Sequence, residues 1–130
     1  MSNNNLWCVK IADSLMQRTP LFRFVWMYDY GVVMKGFEYV WKITGDQKYY
    51  DCIQTNMDIF VDPKGYISRY QPEEYNIDHI NNGKMLFLLL KQTGQQKYLL
   101  AIHQLRQQLL RHPRTREGGF WHKHIYPHQM

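Results

Sequence analysis

Thr44-Gly45-Asp46-Gln47-Lys48-Tyr49 returns 49 residues later as Thr93-Gly94-Gln95-Gln96-Lys97-Tyr98, and the same offset carries Asp29 onto Asp78 and Lys35 onto Lys84. A period of this size marks a recurring helical hairpin. In each copy the glycine offers a left-handed stop to one helix, and in the first copy Asp46 can cap the next. Upstream of the first copy, residues 29–43 carry only Asp29, Lys35, Glu38 and Lys42 as charges among Val32, Val33, Met34, Phe37, Tyr39, Val40 and Trp41. Such a helix is apolar around most of its circumference and asks for neighbours on several sides. Downstream, Tyr49, Ile53, Met57 and Phe60 make one stripe at helical spacing, which leaves a wet face.

The second unit repeats the contrast. Met85 to Leu90 is six apolar residues in a row, Gly94 stops that helix, and Tyr98, Ile102, Leu105 and Leu109 form the stripe of its successor. A buried helix followed by a half-exposed one fits two concentric rings, so the expected class is all-α, an α/α toroid. The turns Asp62-Pro63-Lys64-Gly65-Tyr66 and Arg114 to Trp121 return the chain to the inner ring. Ahead of the first unit, Asn5 to Arg18 reads as an amphipathic helix on Trp7, Ile11 and Leu15, ended at Thr19-Pro20. Six hairpins of ~50 residues need on the order of 300 residues. Residues 1–130 supply two hairpins and the approach to a third, and are expected to form an incomplete single domain, part of an α/α toroid.

The composition, 45% hydrophobic and 15% aromatic, is that of a chain with a packed core. No run approaches the ~18 apolar residues of a membrane span, and Met1-Ser2-Asn3-Asn4-Asn5 lacks the features of a secretory signal, so a cytoplasmic location and no membrane partner are expected. Cys8 and Cys52 sit in helical apolar patterns and read as reduced core thiols. The net charge of +5 is uneven: residues 1–78 hold eight Lys/Arg against ten Asp/Glu, and residues 79–130 hold eight against Glu117 alone. That field favours an anionic partner. The run Arg106, Arg111, Arg114 and Arg116 reads as a solvated outer face, and no nucleic-acid partner is assigned.

Candidate chemistry gathers at the inner-helix starts. Asp78 lies in Tyr75-Asn76-Ile77-Asp78-His79-Ile80-Asn81-Asn82-Gly83-Lys84. One reading makes it the N-cap of the second inner helix; the other points it, ringed by Asn76, His79, Asn81 and Asn82, into a carbohydrate site. Asp29 reads as a carboxylate that complements its helix dipole. Tyr28, in Trp26-Met27-Tyr28, is either core or a stacking platform for a sugar face. In Trp121-His122-Lys123-His124-Ile125-Tyr126-Pro127-His128, His122 and Lys123 can hold a carboxylate over Trp121. The three histidines lack a nearby acid or cysteine and are assigned no metal.

Taken together, Trp26-Met27-Tyr28-Asp29-Tyr30-Gly31, the Glu74 to Lys84 stretch, Glu117-Gly118-Gly119-Phe120-Trp121-His122-Lys123 and Tyr126-Pro127-His128-Gln129-Met130 resemble the unsaturated rhamnogalacturonyl hydrolases. These are glycoside hydrolase family 105, relatives of family 88. The resemblance implies an (α/α)6 barrel that needs no metal or organic cofactor. Its implied partner is an unsaturated rhamnogalacturonan disaccharide or oligosaccharide from pectin. The implied reaction hydrates the 4,5-double bond of the terminal galacturonyl residue and releases rhamnose, unlike displacement at the anomeric carbon. By the same resemblance Asp78 matches one of two site aspartates, and Tyr28, His122 and Lys123 match substrate-contacting positions. The family's principal catalytic aspartate follows the segment ending here at Gln129-Met130, so these 130 residues are expected to be inactive alone. The rival readings are a non-catalytic helical-hairpin scaffold and a glucuronyl-specific toroid hydrolase.

Overall fold

The computed structural model describes residues 6–18 and 25–125, and within them the regular elements are helices. They are α1 (Trp7–Met16), α2 (Tyr28–Thr44), α3 (Gln47–Asp58), α4 (Gly83–Thr93) and α5 (Gln96–Arg111), with 3-10 turns at Pro72–Glu74 and Ile77–His79. The expected start of the first helix at Asn5 and its Thr19-Pro20 stop lie outside the described residues, and α1 ends at Met16, two residues before the expected Arg18. The inner helices α2 and α4 pack on each other; α2 also meets α1 and α3, and α4 meets α5 and α3. The chain is all-α, a set of helical hairpins belonging to an α/α barrel.

The repeat is reproduced in atomic detail. Gly45 and Gly94 end α2 and α4 at φ 70° and 67°, a conformation that costs other residues a Cβ clash. Before each glycine, Thr44 and Thr93 donate their hydroxyls to Val40 and Leu89 carbonyls, both at 2.7 Å. The same two hydroxyls accept from the amides of Asp46 and Gln95, both at 3.2 Å. Asp46 also caps α3 by accepting from the Lys48 amide. The return turns share a design too: Gly65 donates to the Asp62 carbonyl and Gly118 to that of Thr115, with left-handed glycines at φ 79° and 89°. The second of these turns lags the 49-residue period by four residues because α5 has 16 residues and α3 has 12.

Each outer helix is clasped to the one before it. Tyr49 donates its hydroxyl to Asp13 at 2.7 Å while Lys48 pairs with the same carboxylate at 2.8 Å; Tyr98 and Lys97 repeat both bonds on Asp58, each at 2.8 Å. Burial first, and the adjoining carboxylate second, raise both tyrosine hydroxyls above their ordinary range, so they remain donors. The bond from Lys48 holds the Asp13 carboxyl below the usual value, with Tyr49 adding to it.

The outer stripes are buried through Tyr49, Ile53, Met57 and Phe60 on one hairpin and Tyr98, Ile102 and Leu105 on the other, while Leu109 at the end of the second stripe is only partly buried. Two other expectations need correction. Trp7 and Ile11 are 77% and 58% exposed, and α1 buries Val9 and Ala12 instead. With α2 as its principal neighbour, α1 turns its small Ala12 inward, and Lys10 covers the Trp7 ring. The inner helices are not enclosed all round: Val32, Tyr39 and Phe87 are exposed because no described element covers those faces.

Glu38 is the one acid buried on an inner helix among the described residues, and it pairs with Lys35 and Lys42 one turn to either side. Burial opposes its charge, but the two ammonium groups win and hold its carboxyl below the ordinary value. Its stabilising contribution is therefore complete above the unfolded glutamate pKa of about 4.3 and is lost as pH falls through the lower folded value. Glu38→Gln should flatten the loss of stability between about pH 5 and pH 3, read by urea unfolding at several pH values. For the clasp, Tyr98→Phe should cost about 1.5 kcal/mol, the scale of a hydrogen bond to a charged acceptor. Asp58→Asn added to that variant should cost far less than it does alone; a double-mutant cycle with additive losses would contradict the clasp.

Candidate functional site at the inner-helix starts

Asp78 does not cap α4. The cap position there is Asn82, without a side-chain cap bond, and Asp78 lies in the 3-10 turn, four residues before it. The reason is local: the Asn76 side chain accepts from the Asp78 amide at 3.0 Å, so a side chain competes with the helical ladder and delays it. In the first unit α2 is continuous from Tyr28, so the two inner-helix starts are equivalent in position and different in backbone. Asp29 stays exposed in the first turn of α2, its carboxylate accepting from the Tyr30 amide.

The turn is fixed against the start of α2 by long-range bonds. The Trp26 indole donates to the His79 carbonyl at 2.8 Å, in the core, and the Asn81 amide donates to the Tyr28 carbonyl at 2.9 Å. Gly31 lets the two segments meet, since a Cβ there would lie 2.7 Å from Asn82 Oδ1 and 2.8 Å from Asn81 Nδ2. Tyr28 is thereby held beside the turn, its side chain half exposed.

On the other flank the chain after α5 runs along 74–77: Ile77 donates to the His122 carbonyl and His124 to the Glu74 carbonyl, both at 3.0 Å. His122 Nε2 then stands 3.9 Å from Asp78 Oδ2, both side chains about one-fifth exposed. Burial holds the His79 ring below the ordinary histidine range; Glu74 and Asp78 oppose the shift and the Lys123 charge reinforces it. Asn76 Nδ2 faces His79 Nε2 at 3.3 Å, while His79 Nδ1 and both amide atoms of Asn82 are buried without a partner among the described residues.

The structure thus brings Tyr28, Asp78 and His122 to one end of the inner helices and puts the charge of Lys123 within range of His79. His128 lies outside the described residues, and no group of three potential metal ligands occurs among those described. The half-buried thiols of Cys8 and Cys52 take no part, and burial raises that of Cys52. Missed from the sequence were the bonds by which Trp26 and Asn81 hold the turn to α2, and with them Gln108 and His112, whose side chains bond the Asn76 and Trp121 carbonyls. Gln108 alone left a signal, a polar residue inside the stripe between Leu105 and Leu109.

The described helices are hairpins of an α/α barrel with polar side chains gathered at the inner-helix starts. The family model for Glycosyl Hydrolase Family 88 matches residues 7–130, and the chain belongs to that family. A solved structure of a glycoside hydrolase from family 105 of C. acetobutylicum ATCC 824 is 45% identical, with a TM-score of 0.87. The match covers 95% of this chain and 34% of that one, so the chain spans about a third of its length. No described helix is long and apolar enough to cross a membrane.

The closeness of the turn to α2 is tested by two glycines of one helix. Gly31→Ala should destabilise by about 1–3 kcal/mol through overpacking against Asn81 and Asn82. Gly36→Ala meets nothing within 4 Å among the described residues and should stabilise by about 0.5–1 kcal/mol. Urea unfolding of both variants checks the opposite signs.

Proposed function

We propose that this chain forms the part of a glycosidase site that holds the terminal uronate of an unsaturated rhamnogalacturonan oligosaccharide. The observation that carries the reading is the Asp78 carboxylate, which caps no helix and stands beside His122 at the edge of the turn. In this reading His122 and Lys123 receive the uronate carboxylate, Tyr28 stacks on or bonds the sugar ring, and Asp78 contacts the unsaturated ring and assists the proton donor. The reaction is hydration of an enol ether. A carboxylic acid protonates C4, water adds at C5 of the oxocarbenium-like species, and the hemiketal opens to release rhamnose. The proton donor is assigned to an aspartate outside these 130 residues, and residues 1–130 are read as an incomplete domain of an (α/α)6 toroid. The basic charge of residues 79–130 suits an anionic sugar.

The test is titration of the isotope-labelled chain with unsaturated galacturonyl-rhamnose, following the amides of Tyr28, Asp78 and His122 and the ultraviolet absorbance of the alkene. Shifts confined to those amides with unchanged absorbance are expected, and His122→Ala should weaken binding about tenfold, or 1.4 kcal/mol. Equal shifts with a glucuronyl analogue would move the assignment to another uronate, and no shifts would end the saccharide reading. Loss of the absorbance would overturn the assignment of the proton donor elsewhere.

A further inference from the structure

The spacing of Asp78 and His122 is set by two segments outside the helices, residues 74–78 and 121–124, and both are tied to one buried side chain of an outer helix. Gln108, on α5, is 2% exposed. Its Oε1 accepts from the Tyr70 hydroxyl at 2.8 Å, which turns Nε2 the other way. That nitrogen donates to the Asn76 carbonyl at 3.0 Å and faces His112 Nδ1 at 3.3 Å. With a donor opposite Nδ1, the His112 proton resides on Nε2, and Nε2 donates to the Trp121 carbonyl at 2.8 Å. One amide therefore reaches, directly and through one imidazole, the main chain two residues before Asp78 and one residue before His122.

We propose that Gln108 is a positioning residue that fixes the Asp78–His122 spacing by holding the Asn76 and Trp121 carbonyls in a single directional hydrogen-bond network. The proposal rests on the reading of Asp78 and His122 as the sugar site, but its geometry stands apart from the substrate. A residue needed here only for packing would be apolar, since Leu105 and Leu109 flank it on the same stripe. An apolar residue would leave the Asn76 carbonyl, the Tyr70 hydroxyl and His112 Nδ1 without their partner. The polar side chain keeps them bonded and, because its bonds are directional, sets position as well as burial. Tyr70 remains the donor at the head of the network because burial raises its hydroxyl well above the ordinary range, and Glu73 adds to the shift. Asn76 passes the constraint on, its carbonyl held by Gln108 and its side chain holding the Asp78 amide. Tyr75, in a left-handed conformation at φ 45°, turns the chain into this arrangement and sets its ring edge-on to His112.

The test compares Gln108→Leu, the isosteric Gln108→Glu and Tyr70→Phe with the unaltered chain. Three quantities are read: hydrogen exchange at the Ile77 and His124 amides, the nitrogen shifts of the His112 ring, and affinity for unsaturated galacturonyl-rhamnose. Exchange at those two amides should accelerate at least tenfold relative to the Ile53 and Leu86 amides in Gln108→Leu and Gln108→Glu. Tyr70→Phe should give a smaller change of the same pattern. The His112 ring should lose its single tautomer and saccharide affinity should fall about tenfold. Exchange at Ile77 and His124 that merely tracks Ile53 and Leu86 would make Gln108 a packing residue and overturn the proposal. Should Gln108→Leu fail to fold, the other two variants decide. If the unaltered chain binds no saccharide, the functional reading fails while the exchange comparison still judges Gln108.

Discussion

Two carboxylates, Asp13 and Asp58, govern the architecture because each receives a lysine and a buried tyrosine from the next outer helix. The bonds are charge-assisted, and each tyrosine ring is fully buried beneath its hydroxyl. An exposed ion pair alone contributes about 0–1 kcal/mol and fixes little. A buried hydroxyl that must find its acceptor is a stricter requirement, because an unpaired one costs about 1–3 kcal/mol. The clasp therefore sets the height of one outer helix against the next. The glycine stops, reproduced within 3° of φ, then set where each hairpin turns.

From that constraint the location of the site follows. Outer helices held at matching height deliver inner helices whose starts lie side by side, and the polar run 76–82 converts the second start into a turn. Trp26 and Asn81 lock the turn to α2, and the segment after α5 closes it from the other flank. Helical order is given up over the very residues that carry the candidate chemistry. The cost appears as buried polar atoms on His79 and Asn82 without partners among the described residues.

Much of this was legible in the sequence, and for identifiable reasons. Thr44 to Tyr49 and Thr93 to Tyr98 announced the hairpin period because stops and helix starts are local chemistry. The outer stripes were legible because one side of each helix is buried. Asp13 and Asp58 were not recognisable as clasp acceptors, since their partners lie 36 and 40 residues away. Asp78 reads as a cap only if the helix begins beside it, and the competing Asn76 side chain delays it. Trp7 and Ile11 misled because periodicity identifies an apolar face without saying whether a neighbour covers it. Gln108 left no more than a polar break in an apolar stripe because Tyr70 and Asn76, two of its three partners, lie 38 and 32 residues away, and nothing in the sequence ties the His112 ring to the Trp121 carbonyl.

The central claim is that the inner-helix starts, with the segment after α5, form a uronate site built around Asp78. A crystal structure of this chain with unsaturated galacturonyl-rhamnose tests it most directly. The account predicts the uronate carboxylate against His122 and Lys123, the unsaturated ring over the Asp78 carboxylate and Tyr28 at its edge. A saccharide seated instead in the cleft between α5 and Pro72–Tyr75, lined by His103, Gln107 and Arg111, with Asp78 untouched, would contradict it.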